Sequence, residues 1–504
     1  MPRLPRLALF ACALGVLGIT ALAQSPREVA GRLIGDYLLP AIDRGLRDAD
    51  PPRPPRRLTS DYLPDSVVVK FRSGTSAGAR RSLTAMIGGD MVAPLSNADF
   101  DVILLQAGDD PESVAARLSA QPDIEYAQAR YRAHTLFTPN DPLYRLQWNF
   151  PAIDMEHAWD VNPGGTAAVT VAVLDSGVAY RSAVLRHTAI PWRRDDGVLM
   201  PALGTLDLVF AAAPDLAGPD RFVSPRDFIW DDVLPLDFAG HGTHVAGTVG
   251  QLTNNNLGGA GMAFNVKIMP VKVADSEWDE AFNSPYVGTD DVIARGVRYA
   301  VDNGAKVLNM SIGRSGPPAP VVEAAIRYAV SRGAFVAVAG GNDFESGAPQ
   351  RYAEFAPAIE GMVAVGAIGP TKQRAGYSSV GPFVELVAPG GDFAAHVPSN
   401  SGDGVLQQTL DLDLVETYSG SVARYRAPRF DSFAYYYFTG TSMAAPHVAG
   451  FAALLMQQGI TSPAAIEAIM KQFATDLGPT GRDDQYGYGL INPRASLRGM
   501  GLAK

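Results

Sequence analysis

The sequence predicts a mainly parallel α/β sheet with helices on both faces, preceded by a small α+β unit. Three observations carry that class. Apolar runs such as "AVTVAVLDSG", "AKVLNMSIG", "GAFVAVAGGN" and "GMVAVGAIG" are continuous rather than alternating, and each ends in Gly, Asp or Asn. Helical patterns separate them, among them "DDVIARGVRYAVDNG" at 290–304 and "PVVEAAIRYAVSRG" at 320–333. Upstream, residues 62–132 show a shorter alternation of strand-like and helix-like segments. Strands covered on both faces read as unbroken apolar runs, and parallel neighbours need crossover helices. With 504 residues, 47% of them hydrophobic, the chain can bury one large core and a smaller one.

The first element, residues 1–23, reads as an export signal. Arg3 and Arg6 precede the apolar run "LALFACALGVLGITAL", and "ALA" at 21–23 offers small residues for cleavage before Gln24. The run is short for a membrane span. The single cysteine, Cys12, lies inside it. The exported chain then has no disulfide, thiolate metal site or thiol nucleophile. The expected location is secreted, either extracellular or periplasmic, with no membrane association once the signal is gone. A net charge of −10 gives no basic footprint for nucleic acid.

Residues 24–61 continue the pro-region, with a helix through Val29, Leu33, Ile34, Tyr37 and Leu38 and then the extended linker "DPPRPPRR" at 50–57. Residues 62–137 hold the small unit. "SVVVKF", "FDVILLQ" and "IEYAQARYR" read as strands, with helices at "AGARRSLTAMIG" and "DPESVAARLSAQ". That β-α-β-α-β order suits a ferredoxin-like sheet with helices on one face. Residues 138–504 form the large unit. Two of its stretches, 181–236 and 392–437, show little regular pattern, as functional or surface elaborations do.

Ligands of open parallel sheets bind outside the carboxyl ends of the strands, where Asp175, Ser311 and Asn342 stand. Ser442 in "TGTSMAAPHVAG" is either a helix cap or a nucleophile. The helix after it offers N–H groups and a positive dipole end to an oxyanion, and Pro446 fits its first turn. His447 falls on the far side of that helix. In "DFAGHGTHVAGTVG", His241 stands at a helix start and suits a general base, whereas His244 points elsewhere and suits a packed structural role. A zinc site on the two is disfavoured by the absence of further ligands. Asp175 either caps a turn or pairs with an imidazole. Asn342 either adopts a left-handed turn or donates to an oxyanion. Together, the order Asp, His, Asn, Ser on a parallel sheet points to a serine hydrolase.

"VAVLDSGV", "GHGTHVAGTVG" and "GTSMAAPHVAG" resemble the three catalytic signatures of the subtilisin-like serine peptidases. "VLNMSIG", "VAVAGGND" and "QYGYGLIN" are similar to that family's substrate-binding strand, oxyanion segment and domain ending. The resemblance covers about residues 140–498. It implies a subtilisin-like fold and a secreted serine endopeptidase working through an acyl-enzyme, with Ser442 as nucleophile, His241 as base, Asp175 as its orienting group and Asn342 as oxyanion donor. It further implies that Ser311, Ile312 and Gly313 pair with an extended substrate, and that Ala339, Gly340 and Gly341 wall an S1 pocket with room for a large side chain. Residues 62–137 resemble the family's propeptide, which implies a precursor that cuts itself within 132–142 and whose propeptide inhibits it. The partners are then protein or peptide substrates, and the enzyme acts as a monomer.

No cofactor is implied for the chemistry. A structural calcium ion is, because Asp141 in "NDP" and Asn255 in "TNNNLGG" resemble parts of the family's site. The segment after Asp175, "GVAYRSAVLRH", lacks the acidic residue such sites draw from there. The long loops set this chain apart from compact relatives and leave specificity open. Two rival readings stand beside the lead one. One is a binding scaffold without catalysis. The other is a processing protease for one partner, with Asp231, Asp232 and Asp237 favouring basic substrates.

Overall fold

The computed structural model describes residues 62–91, 98–106, 108–131, 137–194, 197–343, 350–392, 402–415 and 425–499. The expected export signal, the helix at 25–48 and the linker at 50–57 lie outside the described residues, as do residues 132–136 of the expected maturation segment. Residues 62–131 and 137–497 fall into two compact units.

The smaller unit runs β1 (Tyr62–Phe71), α1 (Ala77–Met86), β2 (Asp90–Met91), β3 (Asp101–Leu104), α2 (Pro111–Ser119) and β4 (Ile124–Tyr131). Its sheet order is β2-β3-β1-β4 and every pair is antiparallel. This is the ferredoxin-like arrangement. The sequence reading missed β2, because two residues carry no alternation to detect. Both helices start on side-chain caps, Ser76 accepting from Ala79 N and Asp110 from Ser113 N with Pro111 behind it. Val67, Val69, Ile103, Leu118 and Ile124 form the fully buried centre of its core.

The larger unit is built on seven parallel strands. In chain order its main elements are β5 (Thr170–Asp175), β6 (Ala183–Ala189), β7 (Gly204–Phe210), β8 (Arg226–Asp227), α3 (His241–Gly250), β9 (Lys267–Lys272), α4 (Asp290–Asp302), β10 (Val307–Met310) and α5 (Pro320–Ser331). There follow β11 (Phe335–Ala339), β12 (Met362–Ile368), β13 (Leu386–Pro389), β14 (Val405–Leu410), β15 (Phe433–Phe438), α6 (Thr441–Gln457) and α7 (Pro463–Gln472). The central sheet has the order β8-β9-β5-β10-β11-β12-β13. Every residue of β10, β11 and β12 is buried, as a sheet covered on both faces requires.

Sheet order is what assembles the site. Strands β5, β10 and β11 are neighbours, with Val171 opposite Val307 and Leu308 opposite Val336. Their carboxyl ends therefore deliver Asp175, Ser311 and the Ala339–Asn342 stretch to one edge. The two stretches without regular pattern each contribute to a hairpin: β6 pairs with β7, and β14 with β15. Phe210 stacks on Phe430 at 4.7 Å and bridges to it, so the two insertions pack on each other. Among the described residues no helix is long and apolar enough to cross a membrane.

Candidate active site

Asp175 ends β5 with 1% exposure, and its Oδ1 accepts from His241 Nδ1 at 2.7 Å and from Ser176 N at 2.7 Å. His241 opens α3, and its side chain keeps 26% exposure. The close approach of α3 to β5 depends on Gly242, where any Cβ would overlap the Gly177 carbonyl oxygen. Burial works against the His241 cation. The Asp175 charge, its hydrogen bond and the Asp237 charge outweigh it and hold the imidazole above its ordinary value.

Asp237 holds this arrangement from behind. It is fully buried, and its Oδ1 accepts from Ser176 Oγ, Ala239 N and Gly240 N, while its Oδ2 accepts from Thr243 N and Thr243 Oγ1. Ser176 Oγ in turn accepts from Gly242 N at 3.0 Å. One carboxylate thus ties the residue after Asp175 to the turn that presents His241. The expectation that Asp231, Asp232 and Asp237 offer an acidic face to substrates is corrected for Asp237, which is fully buried. Asp237 points inward, Asp231 pairs with Arg226, and Asp232 Oδ1 accepts from Leu234 N.

His244 faces away from this pair. Its Nε2 donates to the carbonyls of Val405 and Tyr436, its ring stacks on Phe438 at 4.2 Å, and burial pushes its pKa down to about 3. His447 donates from Nδ1 to Met443 O, accepts at Nε2 from Asn149 Nδ2, and is pushed down to about 4 by burial. Both are packed structural histidines.

Ser442 occupies the second position of α6, half-buried, with its Oγ donating to Ser311 O at 3.1 Å. Pro446 lies one turn further in than expected, inside the helix. It therefore leaves the Ser442 carbonyl without its i+4 donor. Ser311 Oγ supplies the missing bond to Ser442 O at 2.7 Å, and Asn309 Nδ2 orients that hydroxyl at 2.9 Å.

Asn342 Oδ1 accepts from Thr441 N and Thr441 Oγ1, both at 2.9 Å, while Thr441 Oγ1 accepts from Gly341 N. That clamp leaves the Asn342 amide N–H groups facing the start of α6. A Cβ added to Gly440 would lie 3.4 Å from Asn342 Nδ2 and 3.6 Å from Ser442 N, so both donors converge on one small space. Thr441 was missed in the sequence because it reads as part of the turn before Ser442.

The cleft beside Ser442 has a volume of about 290 Å³ and is lined in part by Ser311, Ile312, Gly313, Ala339 and Asn342. Gly340 closes the end of β11 with its N–H on Val365 O, and Gly341 faces Gln350. Gln350 is the side chain that lies against both Gly313 and Gly341 at this cleft.

A second polar cluster lies away from the cleft. Asp141 accepts from Asn254 N and Asn255 N. Asn255 Nδ2 donates to Asp215 Oδ1 at 2.8 Å, so one asparagine links two buried carboxylates. Asp215 Oδ2 accepts from Gln251 Nε2, Gly259 N and Tyr435 OH. Burial pushes both acids up, Asp215 to about 7, with Asp141 adding to the rise.

Known proteins fit this geometry. The subtilase family model matches residues 166–489, and the fervidolysin N-terminal prodomain model matches residues 50–129. A thermophilic serine proteinase of Bacillus sp. (strain AK1) is 31% identical over 86% of this chain and 86% of its own length. An extracellular protease of Xanthomonas campestris pv. campestris is 28% identical over 88% of this chain and 70% of its own. A solved protease structure from Pseudoalteromonas arctica superposes with a TM-score of 0.54 at 29% identity, covering 72% of this chain and 99% of its own. The chain therefore belongs to the subtilase family of serine proteases and carries an N-terminal prodomain ahead of its catalytic unit.

Proposed function

We propose that this protease cuts peptide bonds through a Ser442-His241-Asp175 triad and an acyl-enzyme. Ser442 Oγ attacks the scissile carbonyl, and His241 takes its proton and returns it to the leaving amine. Asp175 keeps the imidazole in the tautomer with Nδ1 protonated and stabilises its cation. Asn342 Nδ2 and Ser442 N hold the tetrahedral oxygen. The carrying observation is the 2.7 Å Asp175–His241 pair standing at the same sheet edge as two converged N–H donors. Ser311, Ile312 and Gly313 pair with an extended substrate backbone, and Ala339 to Gly341 form the facing wall.

The chain is made as an exported, self-processing precursor in which residues 62–137 act as inhibitor and the peptidase, residues 138–504, is released as a monomer after a cut within 132–142. The test is the intact mass of the exported chain, wild type beside Ser442→Ala. Loss of the N-terminal segment in wild type alone supports the reading. Equal trimming of both chains overturns self-processing, and Ser442→Ala with undiminished peptidase activity overturns the triad.

The Asp141–Asp215 cluster fits a structural calcium ion. Two buried carboxylates, Asp141 adding to the rise of Asp215, together with the Asn255 side-chain oxygen, which here accepts from Leu257 N, offer hard-oxygen donors. Asp141, Asp215 and Asn255 would hold the ion, which would neutralise the paired charges and brace the 253–259 loop.

A further inference from the structure

We propose that Gln350 is a specificity-determining residue whose amide closes the S1 slot, so that the site takes short or hydrogen-bonding neutral side chains and turns away large apolar ones. The proposal rests on the reading of the cleft beside Ser442 as a peptidase S1 pocket. The two walls of that slot are the stretch after β10, ending in Gly313, and the stretch after β11, containing Gly341. A Cβ on Gly313 would overlap Gln350 Oε1, and a Cβ on Gly341 would come within 2.5 Å of Gln350 Cγ. One side chain thus spans both walls, and both glycines are needed to admit it.

The amide also has an unmet hydrogen bond. Gln350 Oε1 is buried without a partner among the described residues. A buried acceptor left unpaired costs free energy, which a donor on the substrate recovers once the amide turns from Gly313 toward the slot. An apolar side chain cannot recover it, and must displace the amide to enter. Sites of this kind reject analogues lacking the hydrogen-bonding group far more strongly than apolar slots reject a changed methylene. Two charged residues line the cleft, and neither is among the nearest neighbours that a Cβ on Gly313 or Gly341 would meet. Arg314 is bound to Asp290 at 2.7 Å, and Asp275 accepts from Gly288 N at 2.7 Å. That leaves the neutral amide as the group that selects, and glutamine or asparagine as the best-matched P1 residues, with alanine next.

The experiment measures kcat/KM on one peptide p-nitroanilide scaffold with Gln, Ala or Phe at P1. It compares the mature wild type with Gln350→Gly and Gln350→Leu, each counted by fluorophosphonate titration of reactive serine. The wild type is expected to rank Gln over Ala over Phe. Gln350→Gly should raise the Phe substrate roughly 10–100-fold relative to Ala. Gln350→Leu should keep Phe poor while lowering Gln about tenfold, which separates the plug from the hydrogen bond. Titratable enzyme that prefers Phe, or a P1 ranking that Gln350→Gly leaves unchanged, overturns the role of Gln350 and leaves the peptidase reading standing. Absence of any titratable serine in the wild type overturns both.

Discussion

Asp237 and Asp215 are both completely buried carboxylates, and burial pushes both pKa values up, yet their surroundings solve the problem differently. Asp237 collects five hydrogen bonds from Ser176, Ala239, Gly240 and Thr243, four of them from its own turn. Asp215 draws its donors from Gln251, Asn255, Gly259 and Tyr435, up to 220 positions away, and stands beside a second buried carboxylate. A buried charge is tolerated when hydrogen bonds or an opposite charge replace its water. At Asp237 the turn itself does this and sets the angle of His241, the proposed base. At Asp215 two acids remain together, and the proposed calcium ion would supply the opposite charge.

The sharpest test of the division is at the catalytic end. Asp175→Asn should lower kcat by about 10⁴-fold with little change in melting temperature, whereas Asp215→Asn should leave kcat of the folded enzyme near wild type. A large fall in kcat for both would erase the distinction. Next in size is the oxyanion pair. Asn342→Ala should cost roughly 10²–10³ in kcat. Thr441→Val, which removes only the clamping hydroxyl, should cost less and act on kcat rather than KM; an unchanged kcat would show that Thr441 does not position Asn342.

The cation corner should speak through stability. At a hundredfold excess over Kd, calcium contributes about 2.7 kcal/mol, or roughly 3–4 °C for a unit of this size. Chelation should remove that shift in wild type and have no effect in Asp215→Asn. The pH dependence follows from the sign of the pKa shift. In the chelated enzyme Asp215 has a folded value of about 7 against an ordinary 3.8, so the folded state binds the extra proton. Its stability should then fall as pH rises between those values. Added calcium should flatten that slope. A slope of opposite sign in the chelated protein would remove the paired-charge account.

The smallest expected effect returns to Asp237. Its charge helps hold His241 above the ordinary value, so Asp237→Asn should move the acid limb of kcat/KM to lower pH by a fraction of a unit. A limb that stays put while stability falls would make Asp237 a brace only.

What could be read from sequence follows the same division. Asp175, His241 and Asn342 stand at strand or helix ends marked by apolar runs and glycines, so local pattern was enough to place them. The parallel sheet was legible because β10, β11 and β12 are apolar throughout. Asp215 and Gln350 carry no such mark. Asp215 sits in an insertion without periodicity, and its meaning comes from Asn255 and Tyr435, which only folding brings near. Gln350 acquires its place from two glycines in the stretches that follow different strands. The hairpin β14–β15 was hidden for a related reason: Gln407 and Gln408 are buried polar residues on β14, Gln407 Nε2 donating to Ala260 O while Gln408 Oε1 accepts from Asp215 N and its Nε2 donates to Tyr435 OH.

Pro446 has a mechanical consequence. By withholding a donor from the Ser442 carbonyl, it makes the start of α6 depend on Ser311, a residue of the stretch proposed to receive substrate. The proposed nucleophile and the proposed substrate rail are therefore coupled through one hydroxyl, and a shift of the rail should carry Ser442 along. An alanine at 446 would return the helix its own bond and uncouple the two, trading a shared frame of reference for a more regular helix.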